Sequence, residues 1–319
     1  MFDFNVSLSS AVDSSEVFDL IIIGGGPAGL SAGLYAARYK LKTLMIEKAA
    51  VAGGQLTATE WVENYPGFPE PVLGAKLAKD MEAQARFFGL EIVNEDVTSV
   101  KLEGEIKEIQ TPHSIWKAKT VLIATGSSPK LLNVPGEKEF SGHGVSYCAT
   151  CDGPFYPDKT VAVVGGGNSA FEESLFIAKY AAKIHIIHRR DSFKADPILI
   201  ERVKNEPKIE IITDTAVTEI AFTDEERKLK LKNLKTEAES ELKVDGIFIF
   251  IGANPNTALF KDQLELEEGY IVTDREHHTS IEGVWAAGDV QAKSLRQVAT
   301  AVGDGALAAY KIHKYLDNK

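Results

Sequence analysis

Short apolar runs, glycine-rich turns and alanine-rich segments follow one another along the chain. Residues 19–23 are an apolar, β-branched run followed at once by glycines and then by an alanine-rich stretch to about Tyr39. Residues 161–164 begin a second segment of the same kind, which ends near Lys179. A short apolar run before a turn and a helix is typical of a buried parallel strand. The pattern predicts two strand–turn–helix units.

The same criteria predict the remaining elements. Further strands are predicted at 42–46, 91–93, 121–124, 183–188, 244–251 and 283–287, and further helices at 74–88 and about 295–315. The charged stretch 222–243 predicts a β-meander without visible chemistry. Residues 53–67 form a long, turn-rich stretch, and such loops inside compact domains are usually functional.

The first turn carries a dinucleotide-binding fingerprint. Gly24, Gly26 and Gly29 form G-x-G-x-x-G between a predicted strand and a predicted helix, which is the setting that the motif requires. Gly24 permits the tight turn, Gly26 lets the backbone approach a pyrophosphate, and Gly29 lets helix and strand pack closely. The N-terminus of the helix then holds the phosphates.

An acidic residue follows this fingerprint at the expected distance. Glu47 ends the next strand, 18 residues beyond Gly29. A carboxylate there accepts hydrogen bonds from a ribose 2′-hydroxyl and repels a 2′-phosphate. The first site should therefore take an unphosphorylated adenosine, as in FAD or NAD.

A second fingerprint begins 141 residues after the first, in its G-x-G-x-x-A form, and Gly165 is its first glycine. Its next strand ends at Arg189 and Arg190 instead of an acid, and guanidinium groups suit a 2′-phosphate. Two charge-assisted hydrogen bonds of about 1.5–3 kcal/mol each favour NADPH over NADH by about a hundredfold or more. A solvated basic face is the alternative interpretation.

Lys194 and His188 lie close in sequence to this arginine pair. Lys194 lies four residues beyond Arg190, and it supplies a point charge without the two-pronged geometry of arginine. It leaves the strictness of the preference for NADPH open. His188 has no evident ligand partner and is interpreted as structural.

Composition narrows the partners and the compartment. The 319 residues, enough for two domains, carry a net charge of −11, with 44% hydrophobic and 25% charged residues. The acidic balance argues against nucleic acid or an anionic membrane as a partner. Two cysteines do not make an extracellular disulfide framework, and a redox dithiol belongs in a reducing compartment, so we expect a cytoplasmic protein.

Targeting and membrane segments are not evident in the sequence. The chain does not begin with the basic region of a signal peptide, and residues 1–17, with three acids and no Lys or Arg, predict a loose tail. Residues 20–37 carry no charge, but Pro27 and the four glycines within residues 24–29 make them a poor membrane helix.

Both cysteines of the chain lie three residues apart. Cys148 and Cys151 suit a reversible disulfide in a tight turn, and the adjacent Asp152 carboxylate could carry a proton to or from the second sulfur. A zinc site is an alternative, but structural zinc needs four ligands. The sequence offers no second cysteine pair and no two histidines separated by three to five residues, and His277 and His278 are adjacent. Two inert buried thiols are the other alternative.

Two dinucleotide sites of opposite 2′ preference and one dithiol predict an electron relay. Hydride passes from NADPH to a flavin, and two electrons then pass from the flavin to the disulfide. NADPH does not readily reduce a disulfide directly, whereas a flavin mediates between the two.

From about Phe18 to Leu316 the sequence resembles the low-molecular-weight, bacterial-type thioredoxin reductases. The motifs that carry the resemblance are 24–29, 53–55, 64–67, 124–126, 148–153, 165–170, 188–191, 254–257, 288–290 and 296–297. The dithiol just before the second fingerprint is the most specific of them, because glutathione-reductase-like relatives carry theirs in the FAD domain.

The resemblance implies an α/β protein with two Rossmann-like, three-layer ββα dinucleotide-binding domains, the second inserted in the first. Residues 1–130 and 251–319 would form a discontinuous FAD-binding domain. Residues 131–250 would form an NADPH-binding domain that carries the redox dithiol.

The resemblance also implies a set of site residues and no metal. Cys151 would face the flavin, Cys148 would attack the disulfide of thioredoxin, and Asp152 would be the acid–base. FAD would contact Gly24, Gly26, Pro27, Ala28, Gly29, Glu47, Gly54, Gln55, Leu56, Asn64, Val97, Ala124, Thr125, Gly126, Gly288, Asp289 (near the ribitol), Arg296, Gln297 and Ala299. NADPH would contact Gly165, Gly167, Asn168, Ser169, His188, Arg189, Arg190, Lys194 and Ile251.

The implied activity is NADPH-dependent thioredoxin-disulfide reduction by a homodimeric flavoprotein, with thioredoxin or a glutaredoxin-like protein as partner. Rotation of residues 131–250 on linkers near Leu131 and Ile251 would alternate the dithiol and the nicotinamide at the flavin. Three competing interpretations are a flavoprotein that feeds a peroxidase, a ferredoxin–NADP reductase and a flavin-bearing redox sensor. The first carries an extra N-terminal dithiol domain, which 17 loose residues cannot supply, and the second lacks the cysteine pair.

Overall fold

The computed structural model describes residues 13–59, 61–62, 64–223 and 225–319. Most of the expected loose tail, residues 1–12, lies outside the described residues. Residues 14–15 form a turn just before the first strand.

The described residues form strands and helices that alternate along the chain. The strands are β1 Val17–Ile23, β2 Thr43–Ile46, β3 Trp61–Val62, β4 Val72–Leu73, β5 Glu91–Val93, β6 Ser99–Lys101, β7 Lys107–Gln110, β8 Ile115–Ile123, β9 Ser127–Pro129, β10 Val145–Ser146, β11 Thr160–Val164, β12 Lys183–Ile187, β13 Ile209–Ile212, β14 Thr215–Phe222, β15 Arg227–Asn233, β16 Glu239–Lys243, β17 Gly246–Ile249, β18 Ala253–Pro255, β19 Leu266–Glu267, β20 Tyr270–Ile271 and β21 Val284–Ala286. The α-helices are α1 Pro27–Arg38, α2 Gly74–Phe87, α3 Ala149–Asp152, α4 Asn168–Ile177, α5 Pro197–Asn205 and α6 Val298–Asp317, and short 3₁₀ helices cover Gly54–Ala58 and Gly153–Phe155.

The chain divides into two compact units. The first unit comprises residues 1–57, 75–127 and 255–319, and the second comprises 58–74 and 128–254. The second unit is thus inserted into the first and includes residues 58–74, which lie within the expected FAD domain. The chain passes from the first unit to the second within β9 and returns to the first unit within β18. These two strands pair with each other.

The first unit is built on a mixed sheet in the order β5-β2-β1-β8-β7-β6, with β21 also paired to β8. Strands β5, β2, β1, β8 and β21 run parallel, whereas β6, β7 and the first half of β8 form an antiparallel meander. Strand β1 is central, and Leu20–Ile23 in it are almost completely buried, because a parallel strand covered on both faces has no solvent side.

Helices α1 and α6 pack against each other in the first unit through small residues. A Cβ atom built on Gly305 of α6 would lie 2.1 Å from the carbonyl oxygen of Ala28 in α1. Ala308 and Ala309 are fully buried in the same cluster. The alanine-rich composition of both helices therefore serves close backbone approach rather than membrane insertion.

The second unit repeats the plan around a parallel sheet in the order β10-β17-β11-β12-β13. Strands β14, β15 and β16 form a separate antiparallel meander. The predicted meander over 222–243 is therefore longer than expected and begins at Thr215. Phe171 of α4 and Phe248 of β17 are fully buried between helices and sheet.

The α/β class predicted from the sequence is confirmed. The predicted strand–turn–helix units are β1 with α1 and β11 with α4, and their helices end one or two residues earlier than expected. Residues 20–37 divide between β1 and α1. Within the described ranges, no helix has the length and apolar character needed to cross a membrane.

Gly305→Ala should destabilise the protein, because its methyl group would overlap the α1 backbone. We expect the free energy of unfolding to fall by about 1–3 kcal/mol, the usual range for overpacking. Gly303→Ala is the matched control, since a Cβ there meets nothing within 4 Å and an exposed helical alanine should stabilise by about 0.5–1 kcal/mol. Urea denaturation followed by circular dichroism measures both, and equal shifts for the two variants would contradict this packing.

Candidate dinucleotide and redox sites

The first glycine turn connects β1 to α1 through two very close backbone contacts. Gly24 has a φ of +104°, and a Cβ there would lie 2.5 Å from the carbonyl oxygen of Ala124. A Cβ on Gly29 would lie 2.0 Å from the carbonyl oxygen of Gly24. Gly26, by contrast, faces nothing within 4 Å. The turn is therefore tight where the protein packs and open where a pyrophosphate would approach.

Glu47 follows β2 and lies beside this turn. Its Oε2 accepts a hydrogen bond of 2.5 Å from the amide of Gly25, and its Oε1 accepts one of 2.8 Å from the amide of Ala49. Both contacts orient the carboxylate at the end of the second strand. At this position of a dinucleotide-binding fold, a carboxylate accepts a hydrogen bond from a ribose hydroxyl.

The 3₁₀ helix Gly54–Ala58 brings the next expected residues to the same place. A Cβ on Gly54 would lie 3.1 Å from the Cα of Gly26, and Leu56 is buried. The Gln55 amide donates to the carbonyl oxygen of Ser127 at 3.0 Å and to Oδ2 of Asp289 at 3.4 Å. Residues distant in sequence thus converge beside the first glycine turn.

Asp289 lies in the turn after β21 and has a buried oxygen without a partner. Its Oδ1 makes no hydrogen bond within the described part of the chain. Burial raises the pKa of Asp289 above its ordinary value, while Lys293 and Arg296 lessen the rise. A buried polar atom without a partner costs free energy, so this oxygen fits the hydroxyl of a bound ligand such as the FAD ribitol.

The turn that carries Asp289 is held by Asp304 of α6, a residue that the sequence does not single out. Its Oδ2 accepts a hydrogen bond of 3.0 Å from the amide of Gly288 and pairs with Lys293 at 2.5 Å. A Cβ on Gly288 would lie 2.9 Å from the Cβ of Ala28. No local sequence pattern predicts this contact, because Asp304 lies on a different element from the turn.

Arg296 and Gln297 lie just before and at the N-cap of α6. The Arg296 guanidinium donates to the carbonyl oxygen of Asp289 at 3.3 Å and lies 3.9 Å from the centre of the Tyr270 ring. Gln297 forms a reciprocal capping pair with Thr300. Both residues therefore orient the start of α6 in the first unit.

The remaining residues expected to contact FAD differ in burial, and they do not all lie in the first unit. Thr125 and Asn256 exchange two hydrogen bonds of 2.8 Å, next to Gly126. Val97 is buried in the hydrophobic core of the first unit, and Ala299 is exposed on α6. Asn64 lies between β3 and β4, in the second unit.

The second glycine turn, between β11 and α4, repeats the pattern of the first. A Cβ on Gly165 would lie 2.4 Å from the carbonyl oxygen of Phe250, whereas Gly167 faces nothing within 4 Å. Asn168 exchanges hydrogen bonds with Asp196, at 3.1 Å and 2.8 Å, and Ser169 is exposed beside it. The open face at Gly167 again fits a pyrophosphate.

His188 packs against this turn. Its ring lies 2.2 Å from the position of a Cβ on Gly166, and its Nε2 donates to the carbonyl oxygen of Ser192 at 3.1 Å. Burial lowers the pKa of His188, and the charges of Arg189 and Arg190 lower it further. A neutral, packed imidazole agrees with the structural interpretation.

The basic residues lie on the exposed side of the same region. Arg189 and Arg190 follow β12 and are exposed, and neither forms an ion pair with another described residue. The amide of Lys194 donates to the carbonyl oxygen of Gly166 at 2.8 Å, which brings this loop back to the glycine turn. Ile251 packs against the core of the second unit. Three exposed cations therefore follow β12, next to the second glycine turn.

Cys148 and Cys151 form a disulfide, with their Cα atoms 5.3 Å apart. The pair is therefore linked, and neither cysteine is an inert free thiol. Both residues are half-buried, at and within the short helix α3 of the second unit. Among the described residues, no cluster of three or more acidic, histidine or cysteine side chains could hold a metal ion.

The segment before the disulfide is fixed by buried polar contacts. Ser146 is buried, and its hydroxyl accepts from the amide of Cys148 at 3.1 Å. The Tyr147 hydroxyl donates to Glu137 at 3.0 Å, and Glu137 also accepts from the amides of Leu132 and Asn133. These contacts span two to ten residues of irregular chain and follow no helical or strand period, so the sequence does not reveal them.

A cavity of about 480 Å³ lies in the second unit and reaches the residue that follows Cys151. Asp152 and Phe155 line it, together with the cations Lys159 and Arg227 and with His143. Asp152 thus borders space that a proton-carrying water could occupy. The sequence predicts the role of Asp152 but not this cavity.

The residues of the two glycine turns fit two dinucleotides. Each turn combines a tight backbone contact with an open face at its middle glycine, and the first adds a buried carboxylate oxygen that needs a partner. An acid, Glu47, follows the strand beside the first turn. Two arginines, Arg189 and Arg190, follow the strand beside the second turn. These donor sets suit FAD and NADPH respectively.

Comparisons with known proteins agree with this geometry. Residues 18–305 match the family model described as pyridine nucleotide-disulphide oxidoreductase. The thioredoxin reductase of Peptoclostridium acidaminophilum is 46% identical over 309 residues, which cover 95% of this chain and 98% of that protein. The thioredoxin reductase of Bacillus subtilis (strain 168) is 43% identical over 310 residues, covering 96% and 97%.

A solved structure extends the likeness to the backbone. The crystal structure of thioredoxin reductase from Streptococcus pyogenes MGAS5005 gives a TM-score of 0.90 at 41% identity, covering 95% of this chain and 99% of that one. The chain, with its two glycine turns and its disulfide, belongs to the pyridine nucleotide-disulphide oxidoreductase family.

Proposed function

We propose that this protein is an FAD-containing, NADPH-dependent thioredoxin-disulfide reductase. The observation that carries the proposal is the Cys148–Cys151 disulfide on the same unit as the second glycine turn and its arginine pair. The relatives named thioredoxin reductase support it over almost the whole chain.

The chain would hold the two cofactors through its glycine turns. FAD would lie on the open face at Gly26, with Glu47 at its ribose and Asp289 at its ribitol. NADPH would lie on the open face at Gly167, with Arg189 and Arg190 at its 2′-phosphate. When bound, the nicotinamide would supply a hydride, and the flavin would pass its two electrons to a disulfide.

The disulfide carries the electrons to the protein substrate. Two electrons and one proton cleave it to one thiolate and one thiol, and the Cys148 thiolate then attacks one sulfur of the oxidised partner. The other partner sulfur leaves, and Cys151 displaces the partner from Cys148 to restore the internal disulfide. Asp152, directly beside Cys151, takes and returns the proton of that sulfur.

Three further features belong to the proposal. Rotation of the inserted unit on its linkers would let the dithiol and the nicotinamide use one flavin in turn. A homodimer is the proposed assembly, and the cytoplasm, where reduced thiols persist, is the proposed compartment. Thioredoxin or a glutaredoxin-like protein is the proposed partner, docking through a local patch because the chain is acidic overall.

Purified yellow protein should oxidise NADPH when oxidised thioredoxin is supplied. NADH should support at least about a hundredfold lower kcat/KM, because only NADPH carries the phosphate that two guanidiniums bind. Cys148→Ser should abolish thioredoxin-dependent turnover. Turnover that persists in this variant would indicate a ferredoxin- or quinone-type reductase instead.

The two open glycines provide a crossed test of the cofactor sites. Gly26→Ala should weaken FAD retention, because its methyl group fills space meant for a pyrophosphate, and Gly167→Ala should raise the KM for NADPH while leaving FAD bound. Neither side chain meets protein atoms within 4 Å, so both variants should fold. Released flavin is measured by fluorescence after gel filtration. Loss of FAD in Gly167→Ala, or its full retention in Gly26→Ala, would contradict the assignment.

A further inference from the structure

We propose that Thr150, between the two cysteines, is a catalytic residue whose hydroxyl stabilises the Cys148 thiolate. The proposal rests on the proposed function, since it concerns the same dithiol. Its basis is a pair of hydrogen bonds to one sulfur. Cys148 Sγ accepts from the Thr150 hydroxyl at 3.4 Å and from the amide of Cys151 at 3.2 Å.

The backbone of the turn explains why both donors reach the same atom. Cys148 is extended, with φ −143° and ψ 105°, and caps the first turn of α3 with its sulfur. Thr150 lies two residues on, within that turn, so its hydroxyl can return to the capping sulfur. Ser146 fixes the backbone of Cys148 from the other side, by accepting from its amide and donating to its carbonyl oxygen at 3.3 Å.

The two sulfurs of the disulfide are not equivalent in these contacts. Within the described part of the chain, Cys148 Sγ accepts two hydrogen bonds and Cys151 Sγ accepts none. In the disulfide these contacts are weak, because the sulfur is neutral. After two electrons and one proton cleave the bond, the same donors face a thiolate, and hydrogen bonds to a charged group are roughly twice as strong.

The asymmetry assigns the negative charge to Cys148 and the proton to Cys151. The thiolate is the nucleophile in thiol–disulfide exchange, so Cys148 is ready to attack the partner without losing a proton first. Cys151 remains a thiol until its proton passes to Asp152, and it then attacks Cys148 Sγ to release the partner. The Thr150 hydroxyl therefore acts at the first exchange step and not at the second.

The charged residues on α3 and on the elements packed against it are acidic, so they oppose a thiolate. The cations Lys159 and Arg227 line the cavity that Asp152 borders, and neither cysteine lines that cavity. Asp152 lies on α3 itself, and α4, which packs against α3, carries Glu172 and Glu173. Burial raises the pKa of Glu173, and the charge of Glu172 raises it further. The other elements against α3, β3 and the 3₁₀ helix Gly153–Phe155, carry no charged residue. The donors in direct contact with Cys148 Sγ are the neutral Thr150 hydroxyl and the neutral amide of Cys151.

The test measures the pKa of Cys148 directly, in the flavin-loaded Cys151→Ser protein, where Cys148 is the one remaining cysteine. The rate of alkylation by iodoacetamide is followed from pH 5 to 10 by mass spectrometry. Adding Thr150→Val removes the hydroxyl at nearly constant shape, and we expect the midpoint of the profile to rise by about one to two pH units. Adding Thr150→Ser keeps a hydroxyl and should restore the midpoint.

An unchanged midpoint in the Thr150→Val protein would overturn the proposal, as would an equal rise in the Thr150→Ser protein, since packing would then be responsible. Thr150→Ala is a second hydroxyl-free variant if the valine does not fold. The outcome is separate from the proposed function. A protein that reduces no thioredoxin can still show the shift, and an active reductase can lack it.

Discussion

Close backbone contact at the two glycine turns is the constraint on which the rest of the structure depends. Gly29 against Gly24, and Gly165 against Phe250, leave no room for a Cβ atom. Because helix and strand meet this closely, the amides at the start of each helix face the open space at Gly26 and Gly167. Each neighbouring parallel strand then ends near that space, and in the proposed function its last residues would bind the adenosine end of the ligand.

The same framework is used twice with opposite electrostatics. Glu47 is oriented by backbone amides, whereas Arg189 and Arg190 extend from the end of β12. A carboxylate and a guanidinium pair distinguish a free ribose from a phosphorylated one by charge. In the proposed function one architecture would supply a permanent flavin site and an exchangeable NADPH site, and the disulfide lies on the unit of the second glycine turn.

The sequence predicts those parts of the structure that depend on local pattern. Strands β1 and β11, the glycine turns and the dithiol are identified because each rests on residues within a few positions of one another. The contacts that orient the sites are not predicted. Asp304 reaches Gly288 from α6, and Glu137 reaches Tyr147 from an earlier loop, and pairing across such distances leaves no periodic signal. The grouping of residues 58–74 with the second unit has the same non-local origin.

The central claim is that electrons from NADPH reach Cys148 and Cys151 through the flavin. The most direct measurement adds NADPH in the absence of air to flavin-loaded and flavin-stripped protein and counts alkylated cysteines by mass spectrometry. We expect two alkylated thiols per chain in the flavin-loaded protein and none in the stripped one. Oxidation of NADPH by the loaded protein with the disulfide intact would contradict it.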